Sequence, residues 1–147
     1  MIELERYLLS WESFYESHFL DRVSDQARLK QYRNTTILDF YKILDPRWHL
    51  GVLAISPNHQ RKGVGGKLVR YGQDLAAKEN LPITLEASVG GRGLYMKEGF
   101  KIVEEGELGV ENVAEYVVVS MVWEPEDLRG KWLVDRGEGR ADVKGRN

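Results

Sequence analysis

The segment from Trp48 to Ala87 restricts the possible folds of this chain more than any other. It opens with an apolar run, Trp48–Ser56, which is typical of a strand that is covered on both faces. A basic, glycine-rich turn leads into a helix from about Gly63 to Glu79, because apolar residues recur there at helical spacing. A second strand is predicted at Ile83–Ala87. Two strands that are joined in this way run parallel in one sheet, so the sequence predicts the α/β class.

After this unit the sequence predicts one short helix and two further strands, which give an α+β mixed sheet. The short helix is Leu94–Glu98, with Gly99 as its C-terminal cap. The strands are Phe100–Glu104 and Glu115–Trp123, both rich in apolar and β-branched residues.

The chain then divides into three predicted segments. Residues 1–47 carry apolar side chains at helical spacing and form a predicted helical segment. Residues 48–123 form the core that contains the sheet. Residues 124–147 are rich in charged residues and glycine, so we expect a flexible tail with at most a short turn.

Composition excludes several classes of function. The 147 residues include no cysteine, which excludes a disulfide scaffold, a thiolate zinc site and a cysteine nucleophile. The formal net charge of −2 argues against nucleic acid as the main partner. The sequence contains neither an apolar run of about 20 residues nor a signal peptide at its start. We therefore expect a cytoplasmic protein that has neither nucleic acid nor a membrane as a partner.

The turn before the predicted helix, Gln60–Gly66, has the chemistry of an anion site. A helix start leaves backbone N–H groups unpaired and carries a partial positive charge. Glycines allow an anion to approach that backbone, and Arg61 and Lys62 add mobile positive charge. A diphosphate fits a turn of this length.

Neither common nucleotide motif accounts for this turn. The phosphate-binding loop of nucleoside triphosphatases requires Ser or Thr after Gly-Lys, and here Leu68 follows Gly66-Lys67. The dinucleotide-binding fingerprint requires a third glycine at the position of Leu68. Glu86 lies where that fingerprint expects an acidic residue, but this alone is weak support for it.

Two stretches in the core resemble the GNAT N-acetyltransferases. Leu50–Lys78, with Gln-Arg-Lys-Gly-Val-Gly-Gly in its turn, resembles the acetyl-coenzyme A binding motif of that family. Leu85–Val103, with Leu-Tyr-Met-Lys-Glu-Gly-Phe, resembles the motif that follows it. The resemblance covers Trp48–Trp123, is closest to fungal-type members, and implies the GNAT acyltransferase fold.

The resemblance implies how acetyl-coenzyme A binds. In this family two neighbouring strands part, and the pantetheine arm pairs with the exposed backbone of the first strand as an added strand would. One backbone N–H there faces the thioester oxygen, and the start of the helix holds the diphosphate. The implied cofactor-binding residues are Leu53, Ala54, Ile55, Gln60, Arg61, Lys62, Gly63, Val64, Gly65 and Gly66.

The resemblance also implies two catalytic residues. Tyr95 matches the tyrosine that often protonates the leaving thiolate, although its ring could simply pack against the cofactor. Glu86 is the candidate base for the amine, although a glutamate on a strand could simply face solvent. His49 and His59 are weaker candidates. With neither a serine–histidine–acid order nor a metal-binding spacing in the sequence, direct attack in a ternary complex is preferred to an acyl-enzyme.

The sequence departs from the family pattern before Trp48. The strands that normally precede the cofactor strand have no counterpart in residues 1–47, which are helical by period. We therefore expect an N-terminally shortened fold with an unpaired apolar edge, and such an edge recruits a partner strand. This predicts a homodimer, with exchange of elements as one route to it. The leading function is an acetyl-coenzyme A dependent N-acetyltransferase that acts on a small-molecule or protein amine. The alternative is a non-catalytic acyl-coenzyme A binding or oligomerising fragment.

Overall fold

One mixed sheet organises the part of the chain that the structure describes. The structure, a computed structural model, describes residues 40–108 and 116–146. The helices in this part are α1 (Val64–Glu79) and α2 (Arg92–Lys97). The strands are β1 (Trp48–Leu50), β2 (Ile83–Ser88), β3 (Lys101–Leu108), β4 (Tyr116–Trp123), β5 (Leu133–Gly137) and β6 (Arg140–Val143). They pair in the order β1-β2-β4-β3-β6-β5.

The helical segment that the sequence predicts at residues 1–47 lies mostly outside the described residues. Only its last part can be compared with the prediction. A short 3-10 helix at Phe40–Leu44 precedes β1.

The strand–helix–strand unit is confirmed. β1 and β2 are parallel, with Trp48 opposite Ile83 and Leu50 opposite Leu85. Helix α1 ends at Asn80, whose left-handed backbone allows its N–H to reach the carbonyls of the last turn. In the part of the chain that the structure covers, neither helix is long and apolar enough to cross a membrane.

The predicted strand Trp48–Ser56 is shorter in the structure, where β1 ends at Leu50. The sequence pattern continues, but β2 pairs with β1 only as far as Leu85, whereas its pairing with β4 continues to Ser88. Apolar residues alone do not make a strand, because a strand also requires a neighbour for its hydrogen bonds.

The second half of the core follows the prediction closely. Helix α2 begins two residues before the predicted Leu94, and Gly99 follows its last turn with a φ of 87°. Strand β4 pairs antiparallel with both β2 and β3, which confirms the mixed sheet.

The prediction of a flexible tail after Trp123 is wrong. The segment forms an antiparallel hairpin of β5 and β6, and β6 pairs in parallel with β3. The two residues between these strands, Glu138 and Gly139, both have positive φ, 51° and 75°, as a type I′ turn requires.

Apolar residues at alternate positions explain why the hairpin folds onto the sheet. Leu133, Ala141 and Val143 are buried in one cluster with Tyr41 and Leu44. The charged residues that dominate the composition of this segment alternate with them and remain exposed. High charge therefore coexists with an ordered hairpin, because only a few inward positions carry the packing.

The two faces of the sheet bury different sets of side chains. One face packs against α1 and α2 through a cluster that includes Val69, Leu85, Ala87 and Phe100. The other face carries the cluster that the C-terminal hairpin completes. A residue on β2 therefore faces one cluster or the other according to its parity along the strand.

Candidate active site

The start of α1 presents backbone N–H groups that no described side chain caps. Gly63 precedes the helix with φ of 76°, and no side chain caps the helix there. The first N–H groups of a helix have no partner within the helix, and the dipole adds positive potential. A Cβ built on Gly63 would have no heavy atom within 4 Å, so the space beside it is open. This geometry suits an anion.

The basic turn before α1 is held by side chains of its own. The Gln60 amide donates to the carbonyl of Ile55 at 2.9 Å, and Lys62 Nζ donates to the carbonyl of Asn58 at 2.9 Å. Arg61 is exposed and has a φ of 56°. Gln60 therefore shapes the turn, while Arg61 and Lys62 supply exposed positive charge beside the helix start.

Gly65 and Gly66 have a packing role. A Cβ on Gly65 would lie 3.2 Å from Leu94 Cδ2, and one on Gly66 would lie 2.7 Å from Glu98 Oε1. Glu98 is held by Arg70 of α1, with 2.7 Å between Nη1 and Oε1. These two glycines thus let α1 and α2 approach closely, whereas the space beside Gly63 is open.

Beyond Leu50 the backbone is free of sheet pairing. Among the described residues, the segment 51–55 makes no backbone–backbone hydrogen bond. Leu53 is half-buried against the core cluster under α1, while Ala54 is exposed. β1 and β2 therefore part beyond Leu50 and leave an extended backbone available to an added strand or to a ligand that imitates one.

Tyr95 of α2 lies on the helix side of the sheet. Its ring packs against the cluster under the helices and meets Phe100 edge-on, with 5.8 Å between the ring centroids. Burial raises the pKa of the Tyr95 phenol, so the hydroxyl keeps its proton at neutral pH. The hydroxyl is therefore a hydrogen-bond donor at neutral pH, and the raised pKa makes it a weaker acid than a free phenol.

Glu86 lies on the opposite face of β2. It alternates with Leu85 and Ala87, which are buried under the helices, and it sits opposite Ser120 of β4. The Tyr41 hydroxyl donates to the carbonyl of Leu85 at 2.9 Å, at the last β2 residue that pairs with β1. Tyr95 and Glu86 thus lie on opposite faces of the sheet.

A third group on this face, His49, gains importance from the structure. Its Nδ1 lies 2.9 Å from Thr84 Oγ1, and that hydroxyl donates its single proton to the carbonyl of Trp48 at 3.3 Å. The hydroxyl must then accept from Nδ1–H, which leaves Nε2 as a proton acceptor. Burial lowers the pKa of His49 and favours its neutral form.

The sequence made His49 only a weak candidate, and its partner in the structure is remote in the chain. Thr84 is 35 residues away and meets His49 only through the register of β1 on β2. The apolar surroundings in the sequence gave no sign of it. In the described ranges, no group of three His, Cys, Asp or Glu side chains is placed to hold a metal ion.

The chain is similar in sequence to known proteins. Residues 10–123 match a family model described as "Acetyltransferase (GNAT) domain". Among solved structures, the chain is similar to the ribosomal-protein-S18-alanine N-acetyltransferase from Escherichia coli, at 20% sequence identity and a TM-score of 0.46. That match covers 52% of this chain and 54% of the other, so it spans about half the length of each protein.

Proposed function

The chain belongs to the GNAT acetyltransferase family, and on that premise we propose that it transfers an acetyl group from acetyl-coenzyme A to a primary amine. Acetyl-coenzyme A supplies the activated thioester. The observation that carries the proposal is the open helix start of α1, which stands beside a backbone that has left the sheet. A carrier with a diphosphate and an amide-bearing arm complements both features.

The residues for the carrier lie along one continuous path. Backbone N–H groups from Gly63 to Gly66 hold the diphosphate, with Arg61 and Lys62 adding charge. The extended backbone of Leu53, Ala54 and Ile55 pairs with the pantetheine arm. A backbone N–H in that segment, fixed before the reaction, would donate to the thioester oxygen. Such a donor contributes about 2.7–4 kcal/mol in other acyl-transfer sites.

Glu86 is the proposed base for the incoming amine. An ammonium group cannot attack a carbonyl, so a proton must leave before or during attack. Glu86 lies on the face of β2 opposite the helices. Neutral His49, whose Nε2 remains an acceptor, lies on the neighbouring strand and provides a second place for that proton.

Tyr95 is the proposed acid for the departing thiol. Its phenol lies on the helix side of the sheet and is protonated at neutral pH. The amine can attack from the face that carries Glu86 while the thiol leaves on the face that carries Tyr95. Both steps can therefore occur in one complex. The chain has no cysteine to form a thioester of its own, which agrees with direct transfer.

We also propose that the chain forms a homodimer through the β1 edge. β1 is one of the two outermost strands of the described sheet, and an apolar cavity of about 310 Å³ lies between it and α1. Val52, Leu68 and Tyr71 are exposed nearby, by 85%, 47% and 65%. A second copy would cover this apolar edge, which otherwise invites aggregation. Light scattering tests this, and a well-folded monomer at high concentration would contradict it.

The activity is tested by measuring thiol release from acetyl-coenzyme A in the presence of a panel of amines. We expect amine-dependent release, and we expect Tyr95→Phe to slow the chemical step about 10²-fold or more. Lys78→Gln is the control, because Lys78 is an exposed residue near the end of α1 and lies outside the site.

Binding is measured separately by a thermal shift with acetyl-coenzyme A. Stabilisation without thiol release for any amine would favour the non-catalytic alternative, an acyl-coenzyme A binding fragment. If acetyl-coenzyme A gave no stabilisation at all, the proposed function would be wrong. An unchanged chemical step in Tyr95→Phe would remove Tyr95 from the mechanism and leave the rest of the proposal standing.

A further inference from the structure

Tyr41 lies on the face of the sheet that carries Glu86. Its side chain is fully buried, in the cluster that Val122 of β4 shares with the C-terminal hairpin. The hairpin lies outside the residues that match the family model, so the surroundings of Tyr41 come partly from a segment that this model does not cover. A buried phenol needs a hydrogen-bond partner, and the partner of Tyr41 belongs to the strand of the proposed base.

The Tyr41 hydroxyl holds the peptide group that leads into Glu86. It donates to the carbonyl of Leu85 at 2.9 Å. That carbonyl and the N–H of Glu86 belong to one planar peptide group, so a hydrogen bond to the oxygen also restrains the backbone of Glu86. β1 pairs with β2 only as far as Leu85, so the restrained peptide lies where β2 loses its neighbour on that side.

A second hydrogen bond fixes the hydroxyl of Tyr41. Burial raises the pKa of the phenol, and a hydrogen bond from Ser120 offsets part of that rise. The single proton of the phenol goes to Leu85, so the Ser120 hydroxyl must donate to the phenol oxygen. Ser120 is itself buried and lies opposite Glu86 in the pairing of β2 with β4. The hydroxyl is thus fixed by two bonds, next to the position that carries the proposed base.

The ring of Tyr41 lies beside the second proposed proton acceptor, His49. The centroids of the two rings are 6.0 Å apart, and the Arg47 guanidinium lies 5.5 Å from the centroid of the Tyr41 ring. Arg47 in turn pairs with Asp45. Tyr41 is therefore a neighbour of both groups that the proposed function assigns to the proton of the amine.

We propose that Tyr41 is a positioning residue for acetyl transfer, and that its hydroxyl sets the placement of Glu86 against the incoming amine. This inference rests on the proposed function. A general base acts within about 2.6–3.2 Å of the atom that bears the proton, and a misplacement of about 1 Å can slow a reaction about 10²-fold. Tyr41 lies on the face opposite α1, so binding of coenzyme A at the helix start does not depend on its hydroxyl.

The test is a double-mutant cycle, measured as the rate of the chemical step in single turnovers of acetyl transfer. Tyr41→Phe keeps the ring and removes the hydroxyl. It should slow the step about tenfold and leave the Kd of coenzyme A unchanged. In a Glu86→Gln background, which has already lost the base, Tyr41→Phe should slow the step less than about twofold. A role in folding alone would give the same factor in both backgrounds.

Val143→Ala is the control for loss of stability. It removes packing from the same cluster and leaves the hydroxyl of Tyr41 in place. It should lower the Tm at least as much as Tyr41→Phe does, and it should leave the chemical step unchanged. An equal slowing of the step by Val143→Ala would show that loosened packing is sufficient, and it would overturn the role of the hydroxyl.

Three further outcomes contradict the inference. Tyr41→Phe could leave the step unchanged, or it could slow the step by the same factor in both backgrounds. Glu86→Gln could have no effect, and Tyr41 would then have no base to place. Each of these results overturns the inference and leaves acetyl transfer standing, whereas an absence of thiol release from the unmodified chain would overturn the proposed function as well.

Discussion

The start of α1 and the turn after β4 both present several backbone N–H groups, but these groups differ in what accepts their hydrogen bonds. In the turn after β4, the Glu124 carboxylate accepts three N–H groups within 3 Å. At the start of α1, no side chain caps the helix, and the space beside Gly63 is open. One region supplies its own anion, and the other leaves the same chemistry for an anion from outside.

On the proposed function, this contrast distinguishes groups that stabilise the fold from groups that bind the diphosphate. An internal carboxylate stabilises the fold at the position where it sits. An uncapped helix start lacks that stabilisation, and its N–H groups remain available to an anion. The predictions below test this difference, in order of decreasing effect.

Removal of the internal anion should have the largest effect. Glu124→Ala leaves three backbone donors in the turn without their acceptor, so we expect the free energy of unfolding to fall by about 3 kcal/mol. Urea denaturation measures this. Glu126→Ala, in the same turn but exposed, should change stability by less than about 0.5 kcal/mol. Equal effects of the two substitutions would contradict the role of Glu124.

The glycines of α1 test which side of the helix start is packed. Gly66→Ala brings a Cβ to 2.7 Å from Glu98 Oε1 and moves the end of that side chain, so loss of the Arg70–Glu98 pair, about 0.2–1 kcal/mol, should cancel the gain in helix propensity. Gly72→Ala lies in the same helix with no atom within 4 Å of its Cβ, and it should stabilise by about 0.5–1 kcal/mol. Thermal unfolding of the pair measures the difference. Equal stabilisation by both substitutions would contradict the packing role.

The charges beside the open donors should have a smaller effect. Arg61→Gln and Lys62→Gln should each weaken binding of coenzyme A about threefold, because exposed charges contribute about 0.2–1 kcal/mol each. The loss should shrink as salt increases. Lys78→Gln is the control, at the other end of α1. Calorimetry measures the affinity, and a loss that is insensitive to salt would argue against an electrostatic contact.

The last prediction concerns His49, whose effect on stability should be the smallest. Its Nδ1 is occupied by Thr84, and Nε2 stays an acceptor. Burial lowers its pKa, so below about pH 6.5 the unfolded chain takes up a proton that the folded chain resists. Stability should therefore fall as the pH drops through this window. His49→Gln should reduce that fall, measured as urea midpoints at acidic and neutral pH.

The sequence predicted the parts of the fold that depend on local rules. The period of α1, the glycine after α2 and the apolar run at β4 each specify an element from a few neighbouring residues. The position of the start of α1 was also predicted, because glycines and basic residues occur together in the turn before it. The role of Gly65 and Gly66 was not, since it depends on the approach of α2.

The C-terminal hairpin and the His49–Thr84 pair depend on distant partners. The inward side chains of the hairpin, Leu133, Ala141 and Val143, are few among many charges, so composition concealed them. Their alternation around the Gly137–Gly139 turn was the signal that could have revealed the hairpin. The His49–Thr84 pair arises only from strand register, which a single sequence does not specify without knowledge of the neighbouring strand.

The most direct test of the account is a ¹H–¹⁵N NMR titration of the chain with coenzyme A. The account predicts that the backbone amide signals of residues 63–66 move strongly on binding, because they donate to the diphosphate. The amide signals of residues 130–133 should stay in place, because Glu124 already accepts them. Binding of coenzyme A without movement of residues 63–66, or an absence of binding, would contradict the central claim.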